Sequence, residues 1–198
     1  MIKRAFDLFL VISLFPFWFL TFLIICIIIL FIQGRPIFFK QSRLGHKANE
    51  IKIIKFCTMK NLKDEKGNLL DDFSRTTRLG EILRKYSLDE IPGILNVIKN
   101  EMSLVGPRPF ISEYKNLYSK EQMRRHDVMP GITGWAQVNG RNSISWKEKF
   151  ELDLWYVSNQ SFFLDIKIIF LTFFSVFKAK DINLENSFTT MPKFNGKN

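Results

Sequence analysis

Cysteine and histidine are scarce in this sequence, and their scarcity excludes two kinds of site. Only Cys26 and Cys57, and only His46 and His126, occur among 198 residues. Two cysteines give no disulfide framework, and Cys26 lies in the most apolar stretch, so we expect a reducing compartment. The two histidines lack the spacing of a metal-binding pair, and we expect both to be structural.

Acidic residues are also few relative to basic ones. The chain has 19 Asp and Glu against 29 Lys and Arg, a net charge of +10, while 46% of its residues are hydrophobic and 21 are Phe. A basic, Phe-rich chain predicts anionic partners together with a membrane surface. A membrane-tethered module that binds nucleic acid is a remote alternative, because the basic residues are dispersed and form no recognised nucleic-acid motif. We therefore expect no nucleic-acid partner.

Charge is absent altogether from residues 8–34. As one helix this run would extend roughly 40 Å, more than the hydrocarbon core of about 30 Å, so it predicts a membrane segment. The run is too long for a cleaved signal peptide. Basic residues flank both ends, so the positive-inside rule selects no orientation. Pro16 should kink the helix and would permit a re-entrant arrangement, but a single ordinary span explains the sequence equally well.

Short apolar runs after the membrane segment predict a β-hairpin. Residues 37–41 and 51–56 have the composition of strands, and turn-forming residues separate them. Residues 60–77 follow neither the strand nor the helix period and predict an exposed loop. Helical character begins at residues 78–85, and apolar residues then recur at the spacing of a core-facing helix: Ile91, Ile94, Leu95 and Ile98.

The stretch 162–177 is dense in Phe, Ile and Leu but contains Asp165 and Lys167. It is too short for a comfortable span, which favours a helix at the membrane interface, with a buried core helix as the alternative. Nearby aromatic residues could stack on a base or anchor at the interface. These residues are Trp135, Trp146, Trp155 and Tyr156.

The pair Asp89-Glu90 has two interpretations. Ser87 and Glu90 have the spacing of a capping box, and acidic residues suit the first turn of a helix. Adjacent carboxylates can also divide phosphoryl chemistry between them, one as nucleophile and one as metal ligand. Arg108 lies between two prolines, which fix the backbone and could aim a guanidinium at phosphate.

Five segments with distinctive residues follow one another along the chain. They are Lys55-Phe56-Cys57-Thr58-Met59, Ser87-Leu88-Asp89-Glu90-Ile91-Pro92, Gly106-Pro107-Arg108-Pro109, Pro130-Gly131-Ile132-Thr133-Gly134 and Gln137-Val138-Asn139-Gly140-Arg141. In this order they resemble the bacterial sugar transferases, specifically the small monotopic phosphoglycosyl transferases that initiate glycan assembly on polyprenyl phosphate. The resemblance runs from about Lys3 to the C-terminus.

The resemblance implies a two-step transfer. Asp89 would attack the β-phosphorus of a UDP-sugar and release UMP, and polyprenyl (undecaprenyl) phosphate would then take the phosphosugar from Asp89. Glu90, with Asp89, would hold Mg²⁺. The implied phosphate-binding cations are Lys55, Arg84, Arg108 and Arg141.

Three of these cations also have a purely structural interpretation. Lys55 ends a predicted strand and could simply extend its amine to water, and Arg84 could be a solvated surface charge. Arg141 follows Asn139-Gly140, a pair that by itself indicates a hairpin turn.

The closest likeness is to the minimal members that transfer phospho-N,N'-diacetylbacillosamine for protein N-glycosylation. A UDP-hexose phosphotransferase for exopolysaccharide, capsule or lipopolysaccharide is the alternative. The implied fold is α+β and mainly helical: a re-entrant membrane helix in residues 1–35, and a compact cytoplasmic catalytic domain in residues 36–198 with a small β-hairpin and interfacial amphipathic helices. The implied location is the cytoplasmic face of the bacterial inner membrane, with phospholipid and other glycan-assembly enzymes as further partners.

Three residues depart from the family pattern. Pro16 stands about four residues before the position usual for the proline that breaks the membrane helix. Cys57 and Met129 each replace a residue that is usually basic. Two cations are therefore missing near the expected active site.

Overall fold

The computed structural model describes residues 2–140, 144–178 and 193–196, and it is mainly helical with small two-stranded sheets. The α-helices are α1 (Ile2–Ser13), α2 (Phe15–Ile32), α3 (Asp72–Arg75), α4 (Arg78–Lys85), α5 (Ile94–Ile98), α6 (Lys120–Met123), α7 (Trp135–Val138), α8 (Trp146–Asn159) and α9 (Phe162–Lys178). The strands are β1 (Phe38–Leu44), β2 (Glu50–Phe56), β3 (Ser103–Val105) and β4 (Gly131–Thr133). Short 3₁₀ helices lie at His46–Ala48, Leu88–Gly93, Ser112–Leu117 and Arg124–His126. The expected α+β, mainly helical class is confirmed.

The uncharged N-terminal run is broken between α1 and α2, as the proline predicts. The break falls at Leu14, and Pro16 occupies the first turn of α2, where a helix needs no backbone donor from it. The indole of Trp18 donates to the Val11 carbonyl at 2.8 Å across the break. Among the described residues, α2 is the one helix long and apolar enough to cross a membrane, with a mean hydropathy of 2.9 and 11% of it buried.

Both ends of the N-terminal segment contact the rest of the molecule. In the first turns of α1, Lys3 forms an ion pair with Asp165 and Arg4 donates to the Val97 carbonyl at 2.6 Å. At the far end, Ile29 of α2 is completely buried and the Gln33 amide donates to the Cys57 carbonyl at 3.4 Å. The middle of the segment is exposed, so its two ends converge on one body of protein.

The predicted hairpin is confirmed, with β1 and β2 antiparallel and Gln41 opposite Ile53. Side chains two residues apart share a face of a strand, so Lys55 points to the same face as Ile53. Ile53 and Lys55 both line the same cleft. The hairpin therefore carries Lys55 into the candidate site.

Strands β3 and β4 pair in parallel and hold the Arg108 segment in place. The backbones approach so closely that a Cβ on Gly106 would lie 2.2 Å from the Met129 carbonyl oxygen, and one on Gly131 would lie 2.1 Å from the Gly106 nitrogen. Only glycine fits at these positions. The two motifs quoted around Gly106 and Gly131 are thus also packing motifs.

Two expectations about helices are wrong in detail. Ser87 adopts a left-handed conformation with φ 54°, and its side chain makes no capping hydrogen bond, so the predicted capping box is absent. Ile98, predicted to be core, is 45% exposed. The buried residues of α5 are instead Asn96 and Val97, because a 3₁₀ helix with Pro92 precedes α5 and rotates the face that the periodicity assumed. The helix predicted over 78–85 matches α4.

Candidate active site

Asp89 and Glu90 lie in the first turn of the six-residue 3₁₀ helix Leu88–Gly93, immediately after α4. This element is a short 3₁₀ helix rather than the start of a long α-helix, so its dipole contributes little to phosphate binding. The backbone N–H of Glu90 donates to the Ser87 carbonyl at 3.2 Å. The tight turn places the two carboxylates in different surroundings.

Glu90 forms ion pairs with two cations, Lys55 and Arg108. Its Oε1 accepts a hydrogen bond from Lys55 Nζ at 2.6 Å, and Arg108 donates to both oxygens, with Nη1 3.2 Å from Oε2 and Nη2 on Oε1. Burial would raise the pKa of Glu90, but the charges and hydrogen bonds of Arg108 and Lys55 outweigh burial and hold that pKa well below its usual range. The Glu90 charge raises the pKa of Arg108 in return. Glu90 is therefore ionised at neutral pH.

Asp89 is more deeply buried, with 8% of the residue exposed. Its Oδ2 lies 3.7 Å from Lys55 Nζ. Burial raises the pKa of Asp89, and the neighbouring Glu90 charge acts in the same direction, while Lys55, Arg108 and Arg84 oppose the rise. A poorly solvated carboxylate beside a lysine suits nucleophilic attack, because little water must be removed before a bond forms.

The remaining expected site residues that the structure describes do not line the cleft that holds Lys55 and Arg108. Arg84, near the end of α4, donates through Nε to the Thr58 hydroxyl at 2.9 Å, and its charge acts on Asp89. Arg84 is exposed to solvent, as the surface alternative expected, yet its charge still acts on Asp89. Arg141 lies outside the described residues. Pro16 lies at the break between α1 and α2, not in the cleft.

The position of Arg108 depends on a buried ion pair that the sequence did not reveal. Arg125 Nη2 donates to the Arg108 carbonyl at 2.6 Å and to Asp153 Oδ2, also at 2.6 Å. Both side chains of the pair are about 1–2% exposed, and the Arg125 guanidinium stacks 3.9 Å above the Phe110 ring. Asp153 lies 28 positions after Arg125 in the sequence, so no local pattern predicted the pair.

Arg43 is a further cation in the cleft that the search for motifs missed. Its side chain lines the cleft together with Lys55, Glu90 and Arg108. Burial and the charge of Arg108 lower the pKa of Arg43 to about 10. The predicted first strand ended at residue 41 and left Arg43 in the turn, but β1 continues to Leu44 and carries Arg43 along the cleft.

The carboxylates are suitable ligands for a divalent cation only with help from substrate. Asp89 and Glu90 offer the hard oxygen atoms that Mg²⁺ prefers. Over the described ranges, no group of three or more His, Cys, Asp and Glu side chains could hold a metal. Mg²⁺ commonly takes one or two carboxylates and completes its shell with phosphate oxygens and water, so the pair fits. Lys55 and Arg108 would have to free one oxygen of Glu90.

The aromatic candidates fall into two groups. Trp146 is buried in a cluster with Phe110, Phe150 and other rings, and Tyr156 is buried with its hydroxyl 2.6 Å from Asp165. Neither is placed to stack on a base. Trp135 and Trp155 stack on each other with ring centroids 5.0 Å apart, and Trp155 is 44% exposed.

A cleft rich in cations beside an apolar N-terminal helix suits an enzyme that handles anionic substrates at a membrane. The chain belongs to the bacterial sugar transferase family, whose model matches residues 1–179. The expected family is thereby confirmed.

Named relatives make the class more specific. The chain is 53% identical over 163 residues to an uncharacterized sugar transferase of Bacillus subtilis (strain 168), covering 82% of this chain and 80% of the relative. It is 41% identical over 155 residues to the UDP-glucose:undecaprenyl-phosphate glucose-1-phosphate transferase of Escherichia coli (strain K12), covering 73% of this chain but 33% of that protein. It is 34% identical over 179 residues to the UDP-N-acetylgalactosamine-undecaprenyl-phosphate N-acetylgalactosaminephosphotransferase of Aeromonas hydrophila, covering 86% of this chain and 42% of the relative.

Proposed function

We propose that this chain transfers a sugar phosphate from a UDP-sugar to undecaprenyl phosphate and releases UMP. The observation that carries the proposal is the buried Asp89 carboxylate beside Lys55, next to a Glu90 that Lys55 and Arg108 clasp. The family membership and the names of relatives support the same reaction class. The transfer would be the first membrane step in building an exopolysaccharide, capsule or other glycan.

Three kinds of donor sugar are candidates. Relatives are named for glucose and for N-acetylgalactosamine, which supports a UDP-hexose or a UDP-acetamido sugar equally. The diacetylbacillosamine donor rests on the likeness of short segments alone, and no relative named above carries it. The donor panel below therefore includes all three kinds of sugar.

The mechanism begins with a substitution at the β-phosphorus of the donor. An Asp89 oxygen forms a bond to this phosphorus, and the bond from phosphorus to the bridging oxygen breaks, so that UMP leaves with the electron pair. In the second substitution a phosphate oxygen of undecaprenyl phosphate attacks the same phosphorus, and Asp89 leaves as a carboxylate. Each step forms and breaks one P–O bond, and Asp89 ends as it began.

The surrounding cations bind and orient the anionic substrates. Phosphoryl transfer depends largely on positioning and on neutralising charge at the phosphoryl oxygens. We assign that role to Lys55, Arg84 and Arg108, and also to Arg141. When Mg²⁺ is bound by Glu90 and Asp89, it supplies charge neutralisation at the diphosphate. Burial of Asp89 keeps competing water from the nucleophile.

The membrane arrangement belongs to the same proposal. We propose that residues 1–35 enter the membrane and return to the cytoplasmic face, and that residues 36–198 form the catalytic domain. Lys3 and Arg4 at one end and Gln33 at the other contact the same body of protein, which supports a re-entrant segment. Labelling of single cysteines placed near Lys3 and Lys40, in a chain lacking Cys26 and Cys57, is the test. Labelling from opposite sides of the membrane would establish a span instead.

A direct assay tests the reaction. The purified full chain is offered UDP-glucose, UDP-N-acetylgalactosamine and UDP-diacetylbacillosamine with Mg²⁺ and undecaprenyl phosphate, and UMP and UDP are measured. We expect UMP from at least one donor, and loss of turnover in Asp89→Asn and Glu90→Gln. Asp127→Asn, an exposed carboxylate, is the matched control and should retain activity. UDP as the released product would contradict sugar-phosphate transfer.

A further inference from the structure

One face of the β-hairpin carries a cation, Arg43, that forms no ion pair with any described residue. Arg43 on β1 lies opposite Ile51 on β2, Gln41 lies opposite Ile53, and Phe39 lies opposite Lys55. Residues opposite each other in an antiparallel pair share a face, as do residues two apart along one strand. Arg43, Gln41 and Lys55 therefore share the face that lines the cleft beside Glu90 and Arg108.

The hydrogen bonds of Arg43 hold the guanidinium without neutralising it. Gln41 Oε1 accepts from Arg43 Nη2 at 2.6 Å and from Nε at 3.1 Å, and the Pro109 carbonyl accepts from Nη1 at 3.3 Å. Both acceptors are uncharged. Within the described part of the chain, the ion pairs of the cleft join Lys55 and Arg108 to the carboxylates and do not include Arg43.

The charge balance of the cleft favours an anion at Arg43. Lys55, Arg108 and Arg43 bring three positive charges to a cleft lined by the Glu90 carboxylate, and the Asp89 carboxylate lies 3.7 Å from Lys55. Burial and the like charge of Arg108 outweigh the attraction of Glu90 and lower the pKa of Arg43 to about 10. A half-buried cation that forms no ion pair loses part of its hydration without full compensation, and a bound anion would offset that cost.

We propose that Arg43, oriented by Gln41, binds a phosphate group of a substrate of the proposed reaction. A planar guanidinium fits two phosphate oxygens at once. Lys55 and Arg108 share their charge between Glu90 and the substrate, whereas Arg43 forms no ion pair and can give its charge to an incoming phosphate. The role rests on the proposed function for the identity of the substrate, since both the donor diphosphate and the acceptor phosphate monoester present the same chemistry.

Binding measurements on the full chain in detergent test this role without turnover. The probes are UDP for the donor and a short-chain polyprenyl phosphate for the acceptor, each titrated by calorimetry at fixed salt and Mg²⁺. Arg43→Gln should weaken binding of one probe by about 10- to 100-fold, the loss typical of one charge-assisted contact. The affinity of Arg43→Lys should lie between those of the parent and Arg43→Gln, because lysine keeps the charge but lacks the planar guanidinium. A lower affinity for UDP would show that Arg43 binds the donor diphosphate, and a lower affinity for the polyprenyl phosphate would show that it binds the acceptor phosphate.

Two further variants keep the test decisive. Lys52→Gln removes an exposed charge on the opposite face of the hairpin and should leave both affinities unchanged. Gln41→Glu leaves Arg43 in place but gives it a carboxylate partner. This variant should lower the affinity for the same probe that Arg43 binds, and it provides the test if Arg43→Gln fails to fold. Unchanged affinities for both probes in Arg43→Gln or Gln41→Glu, or an equal loss in Lys52→Gln, would overturn the proposal. If no donor yields UMP while UDP still binds in an Arg43-dependent way, the transfer reaction fails and the anion site stands.

Discussion

Asp89 and Glu90 are neighbours in the chain but differ in electrostatic environment. Burial raises the pKa of Asp89, whereas Arg108 and Lys55 outweigh burial at Glu90 and lower its pKa. As pH falls, Asp89 takes up a proton while Glu90 stays charged. The difference suits a division of labour in which Asp89 bonds to phosphorus and Glu90 holds charge in place.

The activity should therefore have an acid limb set by Asp89. The nucleophile must be ionised, so the rate should fall as pH drops through a pKa above the usual Asp value of about 3.9. Lys55 opposes the rise in that pKa, so Lys55→Gln should raise the pKa further and move the acid limb to higher pH. The measurement is the pH profile of UMP release. Lys52→Gln is the control and should keep the original profile; an acid limb unmoved in Lys55→Gln would contradict this role of Lys55.

Arg125 should matter for stability more than any surface cation. Arg125→Ala leaves Asp153 buried and unpaired and frees the Arg108 carbonyl, and such a loss costs about 3–5 kcal/mol. We expect the free energy of unfolding, measured with denaturant in detergent, to fall by about that amount. Arg75→Ala breaks the ion pair with Asp72, which is 55% exposed, and should cost about 0–1 kcal/mol. Equal effects of the two changes would refute the assignment.

At the scale of elements, the hairpin was the most predictable part and the Asp89 helix the least. Strands β1 and β2 have a local pattern of strand formers, and the turn between them is polar. The spacing of Ser87 and Glu90 fits a capping box locally, but the ion pairs of Glu90 with Lys55 and Arg108 pull its carboxylate into the cleft instead. A tertiary contact thus overrides a local signal.

Helix α9 has the two faces expected of an interfacial helix. Asp165 and Ile168 are 3% and 0% exposed, while Phe163 and Phe170 on the opposite face are 82% and 62% exposed. Contact with the protein on one face explains why the helix tolerates Asp165, which accepts from Lys3 and Tyr156. We propose that the Phe face lies on the membrane.

Removing the Phe face should move α9 away from the membrane, while the N-terminal segment still anchors the chain. The double change Phe163→Gln and Phe170→Gln deletes exposed apolar area, each buried Phe contributing about 1.5–3 kcal/mol, so a fluorophore attached to α9 should lose contact with lipid-borne quenchers. Phe73→Gln removes a Phe that is also 62% exposed, but from α3, and should leave the quenching unchanged. Equal quenching in the double variant and the parent would exclude α9 from the membrane surface.

At the scale of the whole molecule, the class of partner was predictable and the construction of the site was not. The net charge of +10 and the uncharged run predicted anionic substrates and a membrane, and family membership agrees. The site joins Lys55 to Glu90 across 35 residues and Arg108 to Glu90 across 18. Residue type and spacing in the sequence identified these residues as candidates, but only the folded structure shows which of them are in contact. Arg43 and the pair of Arg125 and Asp153 had no local pattern that identified them.

The covalent intermediate is the most direct test of the account. The full chain is incubated with a radiolabelled UDP-sugar and Mg²⁺ without undecaprenyl phosphate, quenched, digested and examined by mass spectrometry. We predict one phosphosugar adduct on Asp89, formed with release of one UMP and discharged when the acceptor is added, and none in Asp89→Asn. Turnover with no adduct at Asp89, together with normal turnover in Asp89→Asn, would contradict the account.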